Sequence, residues 1–180
     1  MEIRNKVIVI TGGAGGIGLA IAKMFLTEDP KIIVLADINF DNVDLKNNKV
    51  IYKNCNIASE SELNNLIDDI NDEFGLIDIF CSNAGILTLG DEQSTNEDWN
   101  KNWDLHVMAH VFAAKKLIPD MIKRGYGYFV NTSSAAGLLS HIDSVTYSTT
   151  KHAAIGFAEW LAITYGKQGI GVSVLCPQAV

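Results

Sequence analysis

The chain has 180 residues, of which 48% are hydrophobic and 19% are charged, and its formal net charge is −7. This length and composition predict one globular domain, residues 1–180, with a sizeable core. The acidic balance argues against a nucleic-acid partner, because phosphate-backbone binding needs clustered lysines and arginines, and here those residues are scattered.

The start of the chain leaves no room for a secretion signal. The apolar run from Val7 to Ile10 leads straight into a glycine-rich loop rather than to a cleavage site. No uncharged apolar run elsewhere approaches the ~18 residues of a membrane span. We therefore expect a cytoplasmic protein that does not bind membranes.

Strand-like and helix-like segments alternate along the whole chain. Apolar, β-branched runs typical of strands buried on both faces are separated by stretches in which apolar residues recur at helical spacing. This alternation predicts an α/β fold, a Rossmann-type doubly wound parallel sheet with strand order 3-2-1-4-5-6. The predicted strands are residues 6–11, 32–36, 50–52, 77–82, 128–130 and 172–175, and the predicted helices are residues 17–26, 60–74, 97–123 and 147–166.

A glycine-rich turn follows the first strand and opens the first helix. It reads Gly12-Gly13-Ala14-Gly15-Gly16-Ile17-Gly18. Such a turn lets backbone N–H groups and the helix N-terminus approach a pyrophosphate, although glycines also serve tight turns for steric reasons alone. Its place between a buried strand and a helix favours dinucleotide binding.

An acidic residue, Asp37, stands at the end of the second predicted strand. Its carboxylate can accept hydrogen bonds from both ribose hydroxyls of an adenosine and would repel a 2′-phosphate. Neither Ile38-Asn39-Phe40 nor the glycine loop contains an Arg or a Lys. These residues predict NAD rather than NADP as cofactor. The alternative is that Asp37 only turns the chain after the strand.

Tyr147 and Lys151 stand four residues apart at the start of a predicted helix, and Ser134 precedes Tyr147 by thirteen residues. The four-residue spacing puts phenol and ammonium on one helix face, where the ammonium would lower the phenol pKa from ~10. A tyrosine with a lowered pKa can carry protons, and Ser134 could hydrogen-bond the same substrate oxygen. Alternatively, Tyr and Lys share this spacing on many helices, and Ser-Ser after a strand often only caps a turn.

These patterns together resemble the classical short-chain dehydrogenase/reductase family. The chain carries, in the family's order and at similar separations, Thr11-Gly12-x-x-x-Gly16-x-Gly18, Asn83-Ala84-Gly85, Ser134 and Tyr147-x-x-x-Lys151. The resemblance covers essentially all 180 residues. It implies a Rossmann fold and an oxidoreductase that acts on alcohols and ketones.

The resemblance also implies a cofactor site. The glycines would shape the phosphate turn, and Asn83 and its two successors would support the central strand next to the cofactor. Asn56 stands where the family commonly has Asp, and its side chain can still accept a hydrogen bond from the adenine amino group. The implied cofactor-binding residues are Gly12, Gly16, Ile17, Gly18, Asp37, Asn56, Ile57, Asn83, Ala84, Gly85, Tyr147 and Lys151.

For catalysis, the resemblance implies that Ser134 holds the substrate oxygen and that Tyr147 transfers its proton. Lys151 would lower the Tyr147 pKa and bind the nicotinamide ribose. His106 stands where the family typically has an Asn whose backbone carbonyl holds a water in a proton relay from Lys151. Because His106 retains that carbonyl and its ring can shuttle protons, we include it in the predicted catalytic group.

The family normally continues past Cys176-Pro177 with a loop over the nicotinamide, a substrate-binding helix pair and a seventh strand. None of these is recognised in the 180 residues. Either these 180 residues are part of a longer chain, or the sheet lacks the seventh strand and the substrate site lacks a lid.

His106 and His110 form a His-x-x-x-His pair, a spacing that can bind a metal. No Glu follows the first His in the metalloprotease manner, and no third ligand is evident. We predict no metal site.

The predicted helix 97–123 carries more large apolar residues than one sheet face needs: Trp99, Trp103, Val107, Val111 and Phe112. The resemblance implies a homodimer in which this helix and helix 147–166 pair with their symmetry mates. The alternative is a core helix with Trp at its boundary.

The leading functional hypothesis is an NAD-dependent oxidoreductase that interconverts a small-molecule secondary alcohol and a ketone, with Tyr147 as proton donor and acceptor. The alternative is a dinucleotide-binding module that has lost turnover, which His106 and the missing lid would favour. An epimerase or dehydratase is disfavoured, because those relatives usually carry a Gly-x-x-Gly-x-x-Gly loop.

Overall fold

The computed structural model describes residues 2–41 and 43–178. The two ends of the predicted domain and residue 42 lie outside them. In chain order the elements are β1 (Val7–Thr11), α1 (Gly16–Leu26), β2 (Ile32–Asp37), β3 (Val50–Asn54), α2 (Glu60–Phe74), β4 (Ile79–Ser82), α3 (Asn96–Trp103), a π-helical turn (Asp104–Met108), α4 (Ala109–Arg124), β5 (Gly127–Thr132), α5 (Val145–Tyr165) and β6 (Ile170–Leu175).

The strands in the described ranges form one parallel sheet in the order β3-β2-β1-β4-β5-β6. This confirms the predicted order and the Rossmann-type fold. The chain reverses direction across the sheet between β3 and β4, so β1 and β4 are neighbours whose connections leave toward opposite edges. In an open parallel sheet, ligands bind at the carboxyl ends of the strands at such a reversal.

Strand β1 shows why the apolar runs are unbroken. Val7 and Val9 pack into the core beneath α2 and α4, while Ile8 and Ile10 pack into the core beneath α1. A strand covered by helices on both faces has no solvent face, so its side chains do not alternate in polarity. Each fully buried side chain of this size contributes about 1.5–3 kcal/mol relative to exposure.

The connection from β2 to β3 has no helix in its described parts, residues 38–41 and 43–49. Its composition is polar, and the Asn39 side chain accepts a hydrogen bond from the Asp41 backbone N–H at 2.6 Å. Asn and Asp bonded to nearby backbone in this way compete with helix formation. This agrees with the absence of a predicted helix there.

The predicted helix 97–123 corresponds to continuous helical structure from Asn96 to Arg124 that is not regular throughout. Thr95 caps its start, since the Thr95 hydroxyl accepts a hydrogen bond from the Asp98 backbone N–H at 3.1 Å. The π-helical turn widens the helix around His106, a residue with no exposed surface. Turns of this kind occur often at functional sites, and apolar periodicity does not reveal them.

None of the helices in the described residues combines the length and the apolar character needed to cross a membrane.

Candidate active site

A cleft of about 600 Å³ opens at the carboxyl ends of β1, β4 and β5. It therefore lies where the strand order reverses, as expected for an open parallel sheet. Its walls come from the glycine turn, the loop after β4, the end of β5 and the first turns of α5. The lining residues are Gly12, Gly15, Ile17, Asp37, Asn83, Ala84, Gly85, Ile86, Leu87, Thr132, Ser133, Tyr147 and Lys151.

Most of the predicted site residues meet in this cleft, and six stand around it. Gly16 and Gly18 lie at the start of α1 behind the turn. Asn56 and Ile57 line an adjoining recess, Ser134 follows Ser133 in the chain, and His106 is buried behind the loop after β4.

Thr11, at the end of β1, fixes the loop after β4. Its hydroxyl donates a hydrogen bond to the Cys81 carbonyl at 3.2 Å. The same oxygen accepts hydrogen bonds from the backbone N–H groups of Asn83 at 2.9 Å and Ala84 at 3.2 Å. One buried side chain thus holds the two loops that face each other across the reversal point.

The Asn83 side chain joins three neighbouring strands. Its amide nitrogen donates to the carbonyls of Thr11 at 3.0 Å and Gly12 at 3.4 Å, and its amide oxygen accepts from the Thr132 hydroxyl at 3.0 Å. With its polar atoms bonded to β1 and β5, Asn83 makes the floor of the cleft rigid. Sequence reasoning identified Asn83 but not the Thr132 hydroxyl that it binds.

Two glycines of the turn are required by their surroundings. Gly12 has φ of +64°, and a Cβ there would lie 2.7 Å from the Ala84 Cα. A Cβ at Gly18 would collide with the Gly12 carbonyl and lie 2.8 Å from the Asn83 amide nitrogen. Only glycine allows α1 to pack this closely on the loops, which leaves the helix N-terminus open to the cleft.

Asp37 holds the glycine turn from the neighbouring strand. One carboxylate oxygen accepts a hydrogen bond from the Ala14 backbone N–H at 3.0 Å, and the other accepts one from the Ile38 N–H at 2.7 Å. The half-buried carboxylate also lines the cleft. Asp37 therefore both shapes the turn and presents negative charge to a ligand lying along it.

Beside Asp37 a narrower recess of about 150 Å³ includes Asn56 and Ile57 in its walls. The Asn56 side-chain oxygen accepts a hydrogen bond from the Ala58 N–H at 3.2 Å, and the Asn56 backbone N–H donates to the Glu62 carboxylate at 2.9 Å. Glu62 stands at the capping-box position of α2 but uses its carboxylate to hold this wall. The recess is mostly apolar and adjoins the cleft, which suits a flat ring system.

Tyr147 and Lys151 lie on one face of α5, which begins at Val145, two residues earlier than predicted. The Lys151 ammonium is 5.5 Å from the centroid of the Tyr147 ring and donates a hydrogen bond to the Thr132 carbonyl at 3.0 Å. Lys151 is only 3% exposed, and this burial lowers its pKa to about 8. A positive charge is therefore held in fixed geometry beside the phenol.

Ser134 follows the strand end with extended backbone and starts a short 3₁₀ turn, Ala135–Gly137. Its hydroxyl oxygen accepts a hydrogen bond from the Ala136 N–H at 3.1 Å, which leaves its proton available to a ligand. The preceding Ser133 lines the cleft, and its hydroxyl donates to the Lys151 backbone carbonyl at 2.8 Å. Ser133 thus ties the loop to α5, a role that sequence reasoning missed.

His106 connects the loop after β4 to α5. Its Nε2 accepts a hydrogen bond from the Ile86 backbone N–H at 3.1 Å, so in the neutral ring Nδ1 carries the proton. Nδ1 lies 2.9 Å from the Thr150 hydroxyl, which donates onward to the Thr146 carbonyl at 2.8 Å. The ring also meets the Tyr147 ring edge to face, with centroids 5.5 Å apart.

The His106 ring is neutral at physiological pH. Burial, the Lys151 charge and the neighbouring His110 lower the His106 pKa to about 3, and both ring nitrogens are engaged. The predicted proton relay through the His106 backbone carbonyl and ring stays a prediction. The hydrogen bonds of the ring to Ile86 and Thr150 also support a positioning role.

His110 lies one turn further along the helix and is also buried. Its Nδ1 has no hydrogen-bond partner among the described residues, and burial followed by the Lys151 charge lowers its pKa to about 3. Across the described ranges, no group of three or more His, Cys, Asp or Glu side chains is placed to hold a metal ion.

The sheet order, the glycine turn and the Tyr147–Lys151 pair define a Rossmann-type dinucleotide-binding protein. A sequence model of the short chain dehydrogenases matches residues 6–180, so the chain belongs to the short-chain dehydrogenase/reductase family of oxidoreductases. The resemblance read from the motifs is thereby confirmed.

Individual relatives cover nearly all of this chain. It is 28% identical to the meso-2,3-butanediol dehydrogenase of Serratia marcescens, covering 100% of this chain and 73% of the relative. It is 33% identical to the 2,5-dichloro-2,5-cyclohexadiene-1,4-diol dehydrogenase of Sphingobium indicum, and the match covers 99% of this chain and 74% of the relative. A short chain dehydrogenase/reductase from Burkholderia phymatum, solved in complex with NAD, superposes with a TM-score of 0.92 at 29% identity, covering 100% and 68%.

Proposed function

We propose that this protein is an NAD-dependent oxidoreductase that interconverts a secondary alcohol and the corresponding ketone. The observation that carries the proposal is the Tyr147–Lys151 pair at the cleft, in which the Lys151 ammonium is fixed 5.5 Å from the Tyr147 ring by its bond to the Thr132 carbonyl. NAD, when bound, supplies the hydride acceptor of the oxidation, and its reduced form supplies the hydride donor of the reverse reaction.

The residues around the cleft fit a dinucleotide. The close approach permitted by Gly12 and Gly18 leaves the N-terminal N–H groups of α1 available to a pyrophosphate. Asp37 can accept hydrogen bonds from ribose hydroxyls, and the recess beside Asn56 and Ile57 suits the adenine ring. Lys151 would meet the ribose on the nicotinamide side.

The remaining polar groups act on the substrate oxygen. In alcohol oxidation the Tyr147 phenolate takes the hydroxyl proton, and in ketone reduction the phenol returns it. The Lys151 ammonium stands beside the Tyr147 ring and is held there by the Thr132 carbonyl. Ser134 donates its free hydroxyl proton to the same oxygen, and His106 holds α5 against the loop after β4 through Thr150 and Ile86.

A turnover assay tests this proposal against the alternative of a binding module without activity. The protein is incubated with NAD or NADP and a panel of aliphatic and alicyclic secondary alcohols, and reduced nicotinamide is followed by absorbance. The reverse reaction uses the matching ketones. NAD-dependent oxidation of a panel member supports the proposal. Binding of NADH without turnover of any alcohol or ketone would leave the binding module as the better description.

The preference for NAD over NADP should depend on the charge of Asp37. We expect NADH to bind at least about tenfold more tightly than NADPH, because a 2′-phosphate placed near the Asp37 carboxylate meets like charge. Asp37→Asn keeps an acceptor for the Ala14 N–H and removes the charge, so the ratio should fall to within about threefold. Fluorescence titration with both cofactors measures the ratio.

Asp41→Asn is the matched control for the cofactor experiment. It removes the same charge four residues further along the chain, at an exposed residue that bonds Asn39 rather than the glycine turn. The ratio should stay at its original value in this variant. Tighter binding of NADPH than NADH by the unmodified protein would contradict the assignment of Asp37.

We also propose that the chain forms an isologous homodimer through α4 and α5. An apolar groove of about 390 Å³ runs between these helices, and Trp160 lies in its wall. The Trp160 side chain is 54% exposed, and that of Ile163 on the same helix is 84% exposed. Val107, which sequence reasoning assigned to the dimer face, lies in the core instead. The contact surface therefore lies mainly on α5 and the outer face of α4.

Trp160→Glu should shift the protein from dimer to monomer, because it places a charge in the proposed apolar contact. Sedimentation velocity reports the change. Met24→Glu is the control, since Met24 is a 67% exposed apolar residue on α1, away from the groove. The proposal would be contradicted if the unmodified protein were a monomer, or if the Trp160→Glu variant dimerised with unchanged affinity.

A further inference from the structure

Two loops that border the cleft are joined to each other. The Gly90 N–H donates to the Asp143 carbonyl at 2.9 Å, and the Val145 N–H donates to the Gly90 carbonyl at 3.2 Å, which makes a parallel bridge between Gly90 and Ser144. The buried Ser144 hydroxyl also donates to the Thr88 carbonyl. We call residues 86–92 and 138–143 the mouth loops. Because the second leads directly into α5, both are held at fixed positions near Tyr147.

The mouth loops expose large apolar side chains. Leu87 lines the cleft together with Tyr147, and Leu89, two residues further along the loop, is 67% exposed. On the second loop Leu139 is 72% exposed and Ile142 is 97% exposed, and the His141 ring lies 6.5 Å from the Tyr147 ring. Several exposed apolar side chains on two joined loops beside a cleft are typical of a ligand-binding surface, whereas isolated exposed residues need no explanation.

The carboxylates of the mouth loops are not accompanied by any Lys or Arg on these loops. Residues 84–100 and 133–150 contain no Lys or Arg, whereas the mouth loops carry exposed Asp91, Glu92 and Asp143. The bridge sets Leu89 beside Asp143. The nearest cations along the chain are Lys101 on α3 and the buried Lys151, whose ammonium is engaged by the Thr132 carbonyl. A carboxylate or phosphate on the substrate would find carboxylates and no guanidinium or free ammonium on these loops.

We infer that the mouth loops select for uncharged secondary alcohols or ketones with an apolar skeleton and discriminate against carboxylated and phosphorylated ones. This inference rests on the proposed function, because it places the reacting carbon beside Tyr147. The leucines and Ile142 supply apolar contact area, and the acidic side chains supply the discrimination by repulsion.

A size-matched ligand pair tests the inference without requiring turnover. The ligands are a hydroxycyclohexanecarboxylic acid and its methyl ester, which differ in charge but hardly in shape. Their dissociation constants are measured by calorimetry on the NADH-saturated protein, in which an alcohol cannot be oxidised. We expect the ester to bind at least about tenfold more tightly than the acid. Equal affinities, tighter binding of the acid, or binding of neither ligand would overturn the inference.

Variants of the mouth loops locate the effect. Asp143→Lys should strengthen binding of the acid several-fold and leave binding of the ester unchanged. Glu28→Lys, at an exposed position after α1, should change the affinity for neither ligand. Ile142→Ser should weaken the ester by roughly fivefold through lost apolar contact. If Asp143→Lys and Glu28→Lys changed the affinity for the carboxylic acid equally, the discrimination between acid and ester would not come from the mouth loops, and the inference would be contradicted.

The outcomes separate this inference from the proposed function. Preferential binding of the ester without turnover of any alcohol would keep the ligand selectivity of the mouth loops and reject the enzyme. Turnover of the acid in preference to the ester would keep the enzyme and reject the inference.

Discussion

Replacing Tyr147 with Phe is expected to lower turnover by about 10²–10⁴-fold while NADH binding changes little. The phenol is the group that exchanges the substrate proton, and a positioned general acid–base contributes about this factor. Lys151 would keep its place in the variant, because its ammonium is held by the Thr132 carbonyl and not by the phenol. Steady-state rates with the best alcohol of the panel, together with a fluorescence titration of NADH, measure both quantities.

Tyr165→Phe is the control for this experiment. It removes a phenol hydroxyl at the far end of the same helix, where Tyr165 packs against Trp160. It should leave the rate unchanged. A Tyr147→Phe variant that retained more than about a tenth of the original rate would show that another group transfers the proton.

Acidification should destabilise the fold through two buried histidines. His106 and His110 have pKa values lowered from 6.5 to about 3, mainly by burial. Between these values the unfolded chain binds protons at both side chains and the folded chain does not. The stability linked to these histidines is therefore present above pH 6.5 and is lost as pH falls from 6.5 towards 3.

The size of this effect follows from proton linkage. One proton taken up only by the unfolded state lowers the free energy of unfolding by about 1.4 kcal/mol per pH unit, so the pair contributes up to about 2.7 kcal/mol per unit in the middle of that window. Urea unfolding at a series of pH values measures the slope. Replacing both histidines with Gln should remove that contribution, and each single replacement should remove about half.

The replacements also distinguish the pH dependence of stability caused by the buried histidines from that caused by carboxylates. The carboxylates are the same in all variants, so only the difference between slopes reports the histidines. An identical slope for the unmodified protein and the double variant would mean that the folded histidines titrate normally. His106→Gln also removes the link between Ile86 and Thr150, so a lowered turnover in this single variant would fit its positioning role.

The sequence determined the features that depend on local order along the chain. Alternating strands and helices predicted the sheet order, because right-handed crossovers and burial on both faces leave few arrangements of such a chain. The glycine turn and Asp37 were recognisable because the phosphate turn and the end of the second strand fall at fixed offsets from buried strands. Tyr147 and Lys151 were recognisable because four residues make about one helical turn.

Tertiary structure alone decided the contacts between segments distant in sequence. Thr11 and Thr132 meet Asn83 from different strands, and neither hydroxyl leaves a periodic signal in the chain. The bridge between the mouth loops likewise joins residues that are separated in the chain by α3, α4 and β5.

His106 shows the difference most clearly. Its place in the sequence pointed to the catalytic group, and its ring chemistry suggested proton transfer. In the folded chain the ring is buried against Ile86, Thr150 and Tyr147, both of its nitrogens are engaged, and burial lowers the His106 pKa to about 3. The sequence determined which residue stands at that position, whereas its protonation depends on desolvation and nearby charge, which exist only once the chain has folded.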